Sequence, residues 1–175
     1  SSMIIYGTDG KILEKKVPIK EVEVQEQNNI NQAIEKREKM LIFLLINYPE
    51  ESYKKLKNKI TSQDIKIPQN QKIVNKVYEE LEKGNSNIIK NNILELFEEE
   101  GIINYLTGIL AYNFEVNEIS KCIEDIITNY EKDNLTAYKF EIIKQLENSD
   151  KLTKDEIAGL ESELSSVIIK LARMK

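Results

Sequence analysis

From Ile30 onward, apolar residues recur at the three- and four-residue spacing of amphipathic helices, and the segment before it follows a different pattern. Ile30, Ala33, Ile34, Arg37, Leu41, Leu44, Leu45 and Tyr48 form one stripe, which Pro49 ends. The second half of that helix is apolar on nearly every face, which predicts the central helix of a bundle. Pro49 suits the first turn of the next helix, with Tyr53, Leu56 and Ile60 on one face. Residues 61–67 read as a loop. A third helix follows Pro68, with Ile73, Val77, Tyr78 and Leu81 inward and Gly84 placed to cap its end. Ser86 is positioned to cap a fourth helix carrying Ile89, Ile93, Leu96 and Phe97, with Gly101 as its stop. A short fifth carries Ile102, Tyr105, Leu106, Ile109 and Leu110. Residues 30–116 therefore predict a compact bundle of short helices.

The remaining residues, 117–175, predict a long helix leading into a helical hairpin. Asn117 is expected to cap a long helix bearing Ile119, Cys122, Ile123, Ile126, Ile127 and Tyr130. The polar run Glu131-Lys132-Asp133-Asn134 interrupts the stripe before Leu135, Tyr138, Ile142 and Leu146 resume it, a pattern open to a bend or to a continuous strut. Asn148-Ser149-Asp150 breaks the helix, and Thr153-Lys154-Asp155-Glu156 has the form of a capping box. Ile157, Leu160, Leu164, Val167, Leu171 and Met174 follow at helical spacing, and a connection this short makes the two helices antiparallel. Acidic residues gather near the start of the last helix, and Lys170, Arg173 and Lys175 near its end, which suits the helix dipole.

Residues 1–29 read as a linker. Met3-Ile4-Ile5-Tyr6 and Lys11-Ile12-Leu13 flank Gly7-Thr8-Asp9-Gly10, a turn signal for a short β-hairpin that is marginal without a surface to rest on. The polar run Gln25-Glu26-Gln27-Asn28-Asn29 closes the segment, and Ser1-Ser2 before Met3 is expected to be a cloning remnant on a piece of a longer protein. The fold class expected for the chain is all-α.

Composition removes much enzymology. Among 175 residues there is no histidine, so imidazole catalysis and histidine-ligated metals are excluded. A single cysteine, Cys122, excludes an internal disulfide and any zinc site needing two thiolates. Its place on an inward stripe reads as a small buried hydrophobe rather than a reactive thiol. Glu98-Glu99-Glu100 and Glu124-Asp125 sit in solvated stretches beside lysines and read as charged helix faces. No catalytic, metal-binding or cofactor-binding residue is expected. The net charge of −5 argues against broad nucleic-acid binding. The most apolar run, Met40 to Ile46, is far shorter than the about 20 residues of a membrane-spanning helix. The expectation is a cytoplasmic protein that binds neither nucleic acid nor membrane.

What remains is amphipathic surface. Two helices cannot enclose both of their own apolar stripes, and Ile168 and Ile169 widen the arc beyond the Leu164–Leu171 seam. Either the hairpin folds back onto the bundle, or it projects and offers that arc to a partner.

The order of elements over residues 30–175 resembles the C-terminal helicase-binding domain of bacterial primase. The likeness rests on Ala33-Ile34-Glu35-Lys36-Arg37-Glu38-Lys39-Met40-Leu41-Ile42-Phe43-Leu44-Leu45, followed by Asn47-Tyr48-Pro49-Glu50. It rests equally on the closing stretch from Leu160 to Lys175, which is similar to the terminal helix of clostridial-type primases. The resemblance implies a bundle similar to the N-terminal domain of the replicative helicase, joined by a long helix to a hairpin that anchors on the helicase's N-terminal collar. It implies a non-catalytic module that is monomeric alone, takes no cofactor and modulates helicase and priming activity, the primer-synthesising chemistry residing in other parts of a primase. Carried to this chain, the partner-binding residues would be Tyr138, Ile142, Leu164, Ile168, Ile169, Lys170, Leu171, Arg173 and Lys175. Alternative readings are the helicase's own collar domain, for which self-association would be expected, and an unrelated helical adaptor.

Overall fold

The computed structural model describes residues 2–6, 12–16, 19–112 and 114–174, with side chains from Glu23 onward. It is an all-α fold preceded by a two-stranded ribbon. Strand β1 (Ser2–Tyr6) pairs antiparallel with β2 (Ile12–Lys16), Ile4 opposite Glu14. The connecting turn, expected from Asp9-Gly10, lies outside the described residues.

Helix α1 spans Ile19–Asn47 and is the axis of the bundle. Leu41, Ile42, Leu44, Leu45 and Ile46 are all buried, as a helix apolar on every face must be. The helix starts at Ile19, not at Ile30, which corrects the reading of the linker for residues 19–29. Residues 23–33 are exposed, so no apolar stripe marks these turns. They contain no Gly or Pro and are rich in Glu and Gln, and adding good helix formers to a helix already nucleated by packing costs no second nucleus.

Pro49 opens α2 (Pro49–Leu56), and Ser52 Oγ donates 3.0 Å to the Leu44 carbonyl, which also accepts from Tyr48 N–H at 2.8 Å in the last turn of α1. Thr61 and Asp64 form a reciprocal cap on a 3-10 turn at Ser62–Asp64. Pro68 then opens α3 (Pro68–Glu82). Gly84 adopts φ +82°, and Asn85 N–H donates 2.9 Å back to the Glu80 carbonyl, closing α3 with a left-handed cap. Helix α4 (Ser86–Asn92) gives way to a 3-10 turn at Ile93–Leu96. The expected stop at Gly101 is wrong: Gly101 lies in the first turn of α5 (Glu100–Ala111), and α4 ends instead at the poor helix formers Asn91-Asn92.

Helix α6 runs unbroken from Ile119 to Glu147, through the polar stretch at 131–134, and its N-cap position is Glu118 without a side-chain cap, not the expected Asn117. A 3-10 turn at Ser149–Lys151 leads to α7 (Lys154–Arg173). Thr153 Oγ1 accepts 3.1 Å from Glu156 N–H, the first half of the expected capping box, and the Glu156 side chain makes no return bond among the described residues. Thr153→Ala is expected to cost about 1 kcal/mol locally, read as roughly fivefold faster amide exchange in the first turn of α7. An unchanged exchange rate there would show that the cap carries no energy.

One core joins these elements. It contains residues of α1 to α5 and the first half of α6, namely Ile123, Ile126 and Tyr130, with Ile119, Cys122 and Ile127 packed against it. No described residue of α7 belongs to it. The core encloses one charged side chain completely, that of Glu38. Its carboxylate accepts from Lys66 N–H (2.6 Å), Ile67 N–H (3.1 Å) and Asn70 Nδ2 (3.0 Å). α1 thus caps the N-terminus of α3 from a neighbouring helix, where the macrodipole favours negative charge.

Candidate functional site

The second half of α6 and the whole of α7 pack against each other as an antiparallel pair. Ile142, 1% exposed, and Val167 are the buried centre of the seam. Leu135, Leu146, Ile157, Leu160, Leu164 and Leu171 are half-buried along it. The Tyr138 hydroxyl donates to Glu163 across the seam, and that hydrogen bond raises its phenol pKa. Two helices leave their outer faces bare. Ile168 lies about 100° around α7 from Val167, on the flank of the seam, and Ile169 about 200°, on the side away from α6. They are 47% and 52% exposed. Lys170 and Arg173 flank them, both exposed, and neither makes an ion pair among the described residues. Apolar anchors beside free cations form a surface suited to an apolar partner patch with an acidic rim.

The expected site residues therefore divide. Ile169 and Arg173 lie on the free face of α7, with Ile168 and Lys170 on its two flanks, all four exposed. Ile142 is a correction: it is consumed by the seam and presents nothing to a partner. Leu164 and Leu171 are likewise seam residues, half-buried against α6. Tyr138 is exposed at the seam's edge, with its hydroxyl committed to Glu163. Lys175 lies outside the described residues. The reading missed Phe140, which is 61% exposed and sits about 200° around α6 from Ile142, on the side away from α7. It falls outside the stripe that periodicity selects, and only the absence of a helix over that face reveals it.

A second concave surface lies between α1 and α5. It is an open groove of about 670 Å3, with Tyr105, Ile109, Tyr112 and Phe114 among its lining and Lys36 and Lys39 at its edge. Phe114 stacks at 4.7 Å on Phe43 and at 4.6 Å on Tyr112. Lys39 is paired with Glu35 at 2.9 Å, which raises its pKa. The aromatic floor packs largely on itself, and the polar side chains that line the groove, Gln32, Lys36 and Asn104, are exposed to solvent. Glu98 to Glu100, Glu124 and Asp125 are exposed, and Cys122 is half-buried against the core. Among the described residues no three metal-ligating side chains come together, and no helix is long and apolar enough to cross a membrane.

No family model, curated protein or solved structure matches this chain.

Proposed function

We propose that the protein is a non-catalytic docking module that binds the N-terminal domain of a replicative helicase through the free face of α7. The observation that carries this reading is the pair of exposed isoleucines, Ile168 and Ile169, beside the exposed cations Lys170 and Arg173, which make no ion pair among the described residues, on a hairpin that lies outside the bundle core. The order of elements, a bundle followed by a long helix and a terminal hairpin, agrees with the likeness to the helicase-binding domain of bacterial primase. In that role α6 carries the hairpin clear of the bundle, the isoleucines supply affinity and the cations steer association.

Size-exclusion chromatography of the protein mixed with hexameric replicative helicase tests the proposal. Co-elution at about 10 μM is the expected result, in the range of a transient replication contact. Separate elution with an intact hexamer would overturn it. Self-association of the protein alone would favour the collar-domain alternative.

A further inference from the structure

We infer that the polar stretch Glu131–Asn134 of α6 is a salt-sensitive latch that sets the direction in which the hairpin leaves the bundle. Four observations meet there. First, the apolar grip of the bundle on α6 ends at Tyr130, and the next buried residue of the helix is Ile142, which faces α7. Second, the ties that hold the intervening turns are polar. Arg37 pairs with Asp133, Lys59 approaches Glu131 at 3.7 Å, and Asn134 Nδ2 donates 3.4 Å to Asp64. Third, Arg37 lies 4.2 Å over the Tyr130 ring, yet its Nε and the Tyr130 hydroxyl are both buried without a hydrogen-bond partner. Buried polar atoms are normally paired, so this contact is the least satisfied part of the α1–α6 interface. Fourth, the Thr136 hydroxyl donates 2.8 Å to the Lys132 carbonyl within the same turns, a back-bond that favours bending.

Ion pairs open to solvent are weak individually and screened by salt, so helical turns tied to the bundle mainly by them can bend away when they loosen. Asp133 is 58% exposed and Glu131 41%. Arg37 is 15% exposed, so salt reaches the Lys59–Glu131 pair directly and the Arg37–Asp133 pair through its aspartate. The latch belongs to the chain whatever docks on α7, and it fixes which way the bare isoleucine face points.

Spin labels at Lys90→Cys on α4 and Ser165→Cys on α7, in a Cys122→Ser background, report the geometry by pulsed dipolar spectroscopy. At about 0.1 M salt one narrow distance distribution is expected, broadening at about 1 M as the Debye length falls from about 10 to about 3 Å. Asp133→Asn should raise the displaced population about threefold at the lower salt without loss of helical circular dichroism. Lys59→Ala supplies a second, independent release, because it lies on a different element and spares Arg37. A distribution unaffected by salt and by both substitutions would overturn the latch, as would one already broad in the unaltered sequence at low salt.

Discussion

Replacing Glu38 with alanine is expected to lower the unfolding free energy by about 3–5 kcal/mol, with a melting point falling by roughly 10 °C. The carboxylate is wholly enclosed and accepts from two backbone N–H groups and the Asn70 amide at the entry to α3. Alanine removes the acceptor and leaves the donors. Each donor cut off from water costs about 1–3 kcal/mol, and they share one carboxylate, so their losses do not simply add. Glu38→Gln keeps the volume and one acceptor oxygen but turns an NH2 group toward the donors, and a smaller loss of about 1–2 kcal/mol is expected. Urea unfolding of the three proteins measures both differences. An alanine variant within about 0.5 kcal/mol of the parent would show that water replaces the carboxylate and that the cap is not structural.

The second large effect concerns binding. Ile168→Asp combined with Ile169→Asp is expected to weaken association with the helicase N-terminal domain by at least about 100-fold, since truncation of a central apolar anchor commonly costs 2 kcal/mol or more. Both side chains are exposed, so the bundle and the α6–α7 seam should melt unchanged. Leu171→Asp makes the informative contrast. Leu171 is half-buried in the seam, so its loss of binding should come with loss of α7 structure, whereas the isoleucine pair should lose binding alone. Unweakened binding by the double variant would place the docking surface elsewhere, with the aromatic groove between α1 and α5 as the next surface to mutate.

The bundle was legible wherever a helix buries one face. Pro49, Pro68, Gly84 and Thr153 act as the punctuation they resemble, because fixed φ, left-handed φ and a side-chain acceptor are local properties. The first turns of α1 were illegible because they are solvent-exposed, and periodicity registers burial rather than helicity. Glu38 left little trace, since it sits in the charged run Glu35–Lys39 just before the apolar turns begin at Met40. The identity of its donors, on a loop and helix some thirty residues away, is a tertiary fact. The same holds for the candidate site. The widened apolar arc was visible in Ile168 and Ile169, but the division of Ile142, Leu164 and Leu171 into the seam depends on how α6 and α7 rotate against each other.

Amide hydrogen exchange across α7, with and without the helicase N-terminal domain, reads the docking face itself. Protection concentrated on residues 165–173, with the α1–α5 groove unchanged, is the predicted pattern. Bound protein in which α7 exchanges as fast as in the free state would mean that the bare isoleucines are not where the partner sits.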